Sequence, residues 1–255
     1  MPLSASISIA TWNIHKGFSQ SNRLVVHELR ERLRELSADI VFLQEVQGLH
    51  HKHARCHGAW PDQPQHEFLA AEVWPNSAYG RNMVYDHGHH GNAILSRFPI
   101  LHQHNQDVTH LRFERRGLLH CAIELPRLHR PLHCVCVHLS LLARSRRRQL
   151  DALASFLEAE VPADAPLLIA GDFNDWRNQA DQWLAQRLGL AEIFSAAGER
   201  PTRSFPAALP LFRLDRIYQR GLRVHSAHLH AGPRWSALSD HAALSARLSP
   251  VIAVP

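Results

Sequence analysis

Several short stretches of this sequence bring carboxylates, amides and imidazoles together at spacings that could bind a cation and activate water. Gly171-Asp172-Phe173-Asn174-Asp175 sets a carboxylate and a carboxamide two residues apart, beside a glycine and directly after an apolar run. The carboxylate of such a pair can accept a proton from water, and the amide can donate to an anionic oxygen without adding negative charge. Ser239-Asp240-His241 puts a carboxylate next to an imidazole, so that one can meet a hard cation while the ring meets a substrate. Asp215 lies in a strand-like run, where burial would cost several kcal/mol without a partner; an imidazole that it orients is one natural choice. Glu45 ends another apolar run and is a candidate magnesium ligand, since that ion takes one or two carboxylates and completes its shell with water and phosphate oxygens. Thr11-Trp12-Asn13-Ile14-His15-Lys16-Gly17 adds an amide, an imidazole and an ammonium group. Singly, each has an ordinary explanation as a turn, a cap or a solvated strand end.

Apolar periodicity predicts the elements that would position these groups. Residues 7–13 alternate like a strand that delivers Asn13 at its end, and Val25, Leu29, Leu33 and Leu36 mark an amphipathic helix over 22–38. Residues 40–43 read as a strand buried on both faces, ending in Gln44-Glu45. The segment 48–82 lacks a clear period and reads as loop plus a short helix. Further strands are expected over 91–96, 118–125, 132–139, 167–170, 214–219, 222–230 and 241–248, with helices near 144–157 and 179–188. Within 132–139, Cys134, Cys136 and His138 share one face. Many strands with few helices and no regular βαβ alternation indicate an α/β fold with mixed sheets and helices outside.

At 255 residues with 45% hydrophobic content, the chain is expected to form one domain over 1–255 with an ample core. No apolar stretch approaches the roughly 18 residues of a membrane span, so the reading is a cytoplasmic protein without an integral membrane segment, with a monomer favoured. A net charge of +5 favours polyanionic partners such as nucleic acid or anionic headgroups. The four cysteines show neither zinc nor disulfide spacing. Of the 21 histidines, those at 50–57 and 87–90 read as solvated loops with incidental metal affinity, a zinc site being the alternative.

Order and spacing together carry more than the pieces. Thr11-Trp12-Asn13, Leu43-Gln44-Glu45-Val46, Gly91-Asn92-Ala93-Ile94-Leu95-Ser96, Val137-His138-Leu139, Gly171-Asp172-Phe173-Asn174, Arg213-Leu214-Asp215 and Ser239-Asp240-His241 resemble the endonuclease/exonuclease/phosphatase superfamily across nearly the whole chain. The resemblance implies a four-layer α/β sandwich of the DNase I-like kind, two mixed β-sheets packed face to face with helices outside. It further implies a phosphate ester hydrolase dependent on magnesium (Mg2+, with Mn2+ a possible substitute). Carried over by position, Glu45 would be the principal metal ligand, with Asn13 and Asp240 on or near the ion. Asp172 would activate water, Asn174 would hold a phosphate oxygen, and His241, oriented by Asp215, would contact the phosphoryl group. His138 would be phosphate ligand or general acid, while Asn92, Arg116 and His15 would face the substrate. Several nucleases of the family carry an aspartate where His15 stands, which favours one ion over two.

With ordinary imidazole pKa values, His138 and His241 would titrate between about pH 5 and 8. DNA or RNA is the leading substrate class. A lipid or small-molecule phosphodiester is the alternative, its apolar rim drawn from Phe18, Trp176, Phe205 or Phe212, and a catalytically silent binding protein on the same fold is a third reading.

Overall fold

Strands with alternating inward residues fill the space between two sheets, and their outward residues receive the helices. The computed structural model describes residues 6–126 and 128–251, so the ends of the expected 1–255 domain lie outside the described residues. In chain order the elements are β1 (Ile7–Asn13), α1 (Val26–Glu35), β2 (Ile40–His50), α2 (His51–Cys56), α3 (Gln65–Ala70), β3 (Asn76–Tyr85), β4 (Gly88–Ser96), β5 (Ile100–Asp107), β6 (Gly117–Ile123) and β7 (Leu132–His138). Next come α4 (Ala143–Glu160), β8 (Leu167–Asp172), α5 (Ala180–Leu188), β9 (Ala191–Glu192), α6 (Ile193–Ala196), β10 (Asp215–Arg220), β11 (Leu222–His230), α7 (Pro233–Ser236) and β12 (Ala243–Pro250). One six-stranded sheet runs β11-β12-β1-β2-β4-β3 and the other β5-β6-β7-β8-β10-β9. Both are mixed: β1 pairs parallel with β2 and β7 with β8, among antiparallel neighbours.

The four layers arise from side-chain parity. Ile9, Phe42 and Ile94 of the first sheet meet Cys134, Cys136, Leu168, Ala170 and Ile217 of the second in a buried inter-sheet core. On the outer face of the first sheet, Ala10, Trp12, Val41 and Leu43 pack on Leu29 and Leu33 of α1 and Phe68 of α3. On the outer face of the second, Val135, Val137 and Ile169 pack on Leu150, Leu153 and Leu157 of α4 and Leu184 of α5. Burying one such side chain stabilises by roughly 1.5–3 kcal/mol, and a one-residue slip would turn a whole inner set outward. Register is therefore fixed strongly, and with it the direction of whatever stands at each strand tip.

The expected sandwich with two face-to-face mixed sheets is what forms. Three of its strands escape the sequence reading: the two-residue β9, too short to carry a pattern, and two longer ones. Part of the 48–82 segment is β3, and the polar stretch Ile100–Asp107 is β5. Each is the edge strand of its sheet, paired on one side and largely accessible, so its sequence lacks the apolar run or clean alternation that marks an interior strand.

Candidate active site

The period that fills the inter-sheet core also aims the polar strand tips into its open end. Continuing the inward parity of Cys136, Ala170 and Ile217 brings His138, Asp172 and Asp215 to the same gap, and pairing lines them up: His138 opposite Asp172, and Asp215 opposite Asp172. Asn13, at the tip of β1 in the facing sheet, donates from Nδ2 to Asp172 Oδ2 at 3.2 Å and approaches Glu45 Oε1 at 3.5 Å. Five motifs distant in sequence thus meet at one sheet edge.

His241 arrives from the loop ahead of β12. Trp12 Nε1 donates to the His241 carbonyl at 2.8 Å, and the Ser239 hydroxyl donates to the Asn13 carbonyl at 2.6 Å while accepting the His241 N–H at 3.1 Å. Nδ1 of His241 meets Asp215 Oδ2 at 2.8 Å, and Nε2 lies 3.7 Å from Asp172 Oδ2. Burial alone would discharge this imidazole, but the Asp215 and Asp172 carboxylates outweigh it and raise its pKa to about 10. Burial raises Asp172 to about 6 against the pull of His241. His138, whose Nε2 is 3.5 Å from Asp172 Oδ2, goes the other way: burial, with the Arg116 charge behind it, drives its pKa well below the usual imidazole range. The expected titration of both histidines between pH 5 and 8 is thereby overturned; one is held cationic and the other neutral, while Asp172 is raised to about 6.

Glu45 breaks the alternation of β2. Its backbone is left-handed, with φ of 56°, within a register shift between Leu43 and Val46, and this re-aims the side chain along the cleft. His15, Lys16 and Asn174 share that conformation, so half of the eight non-glycine residues with positive φ among the described residues cluster here, as strain does at functional sites. The Lys16 ammonium is 3.4 Å from Glu45 Oε2. Burial pushes the Glu45 pKa up, but the positive charges of Lys16 and of His138, His15 and His90 once protonated pull it down to about 2. Glu45 Oε2 is buried and makes no hydrogen bond among the described residues, facing only the Lys16 ammonium at 3.4 Å, so this oxygen sits where positive charge is already favoured. Asp172, Asp215 and His241 also present ligand atoms within 4.8 Å of one another, but there a cation would have to displace the proton on His241. Beside Glu45 opens a cleft of about 310 Å³, lined by Lys16, Met83, His90, Phe113 and Arg116 among others.

The family model described as the endonuclease/exonuclease/phosphatase family matches residues 10–241. The chain belongs to that family. It is 48% identical over 244 residues to the uncharacterized protein YbhP of Escherichia coli (strain K12), covering 95% of this chain and 96% of that protein. In fold it is similar to an endonuclease/exonuclease/phosphatase from Bacteroides vulgatus (TM-score 0.75, 16% identity, 96% of this chain and 99% of that one). It is likewise similar to one from Beutenbergia cavernae (TM-score 0.73, 20% identity, 96% and 72%). TDP2 of D. rerio, solved with a single-strand DNA product, superposes with a TM-score of 0.70 at 18% identity over 96% of this chain and 99% of that one. Membership of the endonuclease/exonuclease/phosphatase family points to phosphoester hydrolysis in general.

Not every residue expected at the family's site stands in it equally. Asn174 is held at two points: its N–H meets Asp172 Oδ1 at 2.9 Å and its amide donates to the Leu139 carbonyl at 3.0 Å, which leaves a second amide N–H. Asn13 takes the His15 N–H on its carbonyl at 3.1 Å and turns its amide to the carboxylates, so here it ties Glu45 to Asp172. Asp240 touches the Ser239 hydroxyl at 3.5 Å and has no described contact with Glu45. Asn92 is buried, donating to the Gly117 and Cys136 carbonyls at 3.2 Å each; it joins the two sheets. Arg116 forms a wall of the cleft, held by Glu114 at 3.1 Å and by the Leu139 carbonyl at 3.3 Å. The ring of His15 turns to the Phe18 carbonyl at 3.1 Å.

Sequence reasoning missed His90 and Ser239. The first is masked by the histidine-rich run around it, and the second carries its role in a hydroxyl contact no spacing announces.

Proposed function

We propose that this chain is a magnesium-dependent phosphoesterase that adds water to the phosphorus of a phosphodiester or phosphomonoester. The observation that carries the reading is convergence on one oxygen, Asp172 Oδ2, by Asn13, His138 and His241 at 3.2, 3.5 and 3.7 Å. Both imidazoles stand beyond hydrogen-bond range of it, a gap that a water molecule can bridge. Phosphate esters resist attack because their anionic oxygens repel nucleophiles, so positioned positive charge and a base are what the site must supply. Asp172, ionised above about 6, takes the proton from water. His241, cationic through Asp215, sets its charge against the phosphoryl oxygens, and neutral His138 and the spare Asn174 N–H add hydrogen bonds. A neutral His138 favours its role as phosphate ligand over that of general acid.

The buried oxygen of Glu45, which faces positive charge but makes no hydrogen bond, supports it as holder of the metal, with Asn13 bracing it and Asp240 further out, beyond the Ser239 hydroxyl that is bound to the Asn13 carbonyl. Bound there, Mg2+ or Mn2+ would neutralise charge on the leaving oxygen. Net charge and the DNA-bound neighbour are the grounds for nucleic acid as one substrate class. A phospholipid is the second reading, favoured by the apolar loops around the cleft.

The test is hydrolysis of bis-p-nitrophenyl phosphate with Mg2+, Mn2+ or EDTA, for the natural chain and for Glu45→Ala. Turnover should require the added ion and vanish in the variant. Turnover that persists in EDTA or in Glu45→Ala overturns the proposal.

A further inference from the structure

Seven of the eleven large hydrophobic side chains that stand exposed among the described residues belong to loops leaving one edge of the second sheet. Pairing defines that edge: the end of β7 lies beside the end of β8, with the starts of β6 and β10 on either side. Phe113 precedes β6, Leu141 and Leu142 follow β7, and Trp176 follows β8. Leu209, Leu211 and Phe212 precede β10. Phe113 is 75% exposed, Leu209 67% and Leu141 56%. Scattered exposed leucines need no explanation, whereas seven large apolar side chains on the loops of one sheet edge, Phe113 and Leu141 among them lining the cleft, mark a surface built to meet something apolar.

This rim is held in place. Leu209 N donates to the Pro206 carbonyl at 3.1 Å and Leu211 N to the Phe205 carbonyl at 2.8 Å, which closes the loop, and Ala207 N donates to the Asp240 carbonyl at 2.7 Å beside His241. The same loops and the first turn of α4 carry exposed Arg112, Arg115, Arg144, Arg177 and Arg203. Unlike Arg116, which Glu114 neutralises, none of these five is in an ion pair among the described residues. Apolar tips ringed by unpaired guanidinium groups complement a layer with anionic phosphates above hydrocarbon. A nucleic-acid strand would meet the arginines, but its bases are held by aromatic stacking, and four of the seven rim residues are leucines.

We infer that the chain works at the surface of an anionic phospholipid bilayer, its rim loops inserted by their apolar tips, on a phosphodiester of a lipid headgroup. The inference rests on the phosphoesterase reading of the site. Its chemistry balances without a redox partner: the oxygen of water bonds to phosphorus and one P–O ester bond breaks. One water proton ends on the departing alcohol, and the other stays with the phosphate or passes to solvent.

The test compares the whole natural chain with Leu142→Ser/Leu209→Ser/Leu211→Ser, three exposed positions away from the cleft lining. Each is spun down with sucrose-loaded vesicles of phosphatidylcholine, with or without phosphatidylglycerol, and each is assayed on soluble bis-p-nitrophenyl phosphate. The natural chain should pellet with the anionic vesicles only, and the variant should lose about tenfold or more of that binding while soluble turnover stays within about twofold. Failure of the natural chain to pellet, or equal pelleting of the variant, overturns the inference. So does retention of a single-stranded oligonucleotide that depends on the same three leucines. Absence of soluble turnover in the natural chain would instead overturn the phosphoesterase reading, with the vesicle result standing apart from it.

Discussion

Two regions of the molecule are rich in imidazoles and differ in everything that matters for chemistry. In the segment from His50 to Trp60, His50 and His53 lie with ring centroids 3.8 Å apart and His53 stacks on Trp60 at 5.0 Å. Burial and the neighbouring histidines lower His53 to about 4, and no carboxylate opposes them. At the sheet edge, His241 is buried more deeply, yet Asp215 at 2.8 Å keeps it charged. The first region is an aromatic pile in which His53 is discharged; the second is an electrostatic device. The number of histidines says little; what decides the charge is whether facing carboxylates outweigh burial, as they do at His241 and do not at His138.

That contrast can be broken at several points. Asp172→Asn should cost most, on the order of 10³-fold or more in kcat, because it removes the proposed base. In metal-free protein the same variant should melt higher, since a buried carboxylate with a raised pKa is destabilising when ionised. A Tm that drops would count against this account of Asp172. Asp215→Asn should lower kcat by about 10²–10³-fold and let His241 lose its proton far below pH 10, which an imidazole titration by NMR would register. An unmoved titration would show that Asp215 is not what holds the charge.

Acidity sharpens the comparison further. Activity should fall as pH drops through about 6, where Asp172 takes a proton, and again as pH rises toward about 10, where His241 gives one up. Stability has the opposite slope on the acid side. Both groups have folded-state pKa values above their ordinary ones, 3.8 and 6.5, so each favours its protonated form in the fold. The Asp172 contribution is full below about 3.8 and lost through about 6; that of His241 is full below about 6.5 and lost through about 10. Melting curves of metal-free protein that rise between pH 5 and 9 would contradict these signs. The smallest effect belongs to the other region: His53→Phe should leave kcat within about twofold and stability within about 1 kcal/mol, because a neutral stacked ring replaces a neutral stacked ring. Stoichiometric zinc in the purified protein, lost on that change, would revive a metal role for the segment.

Much of the fold was legible because interior strands write themselves as continuous apolar runs. Residues 40–43, 132–137 and 167–170 stand out for that reason, and Glu45, His138 and Asp172 stand just past their ends. The edge strands β3 and β5 were not legible, because a strand bonded on one side can be polar on most of its surface. Within the site, residue types could be named but not their partners. Asn92 reads as a polar strand residue that could face substrate, and only the facing sheet reveals that its amide joins the layers. The opposite charges of His138 and His241 depend on which long-range neighbour is Arg116 and which is Asp215, and sequence distance carries no trace of that.

The hydroxyl of Ser239 fastens the loop of His241 to the tip of the first strand, and the next strand, β12, lies against β1. A chain emerging from the ribosome therefore displays Asn13, Glu45, His138 and Asp172 long before it possesses the cation they are arranged around. On the phosphoesterase reading, hydrolytic competence waits until His241 has been made and its loop fastened to β1, so a product ending before that residue would be inert.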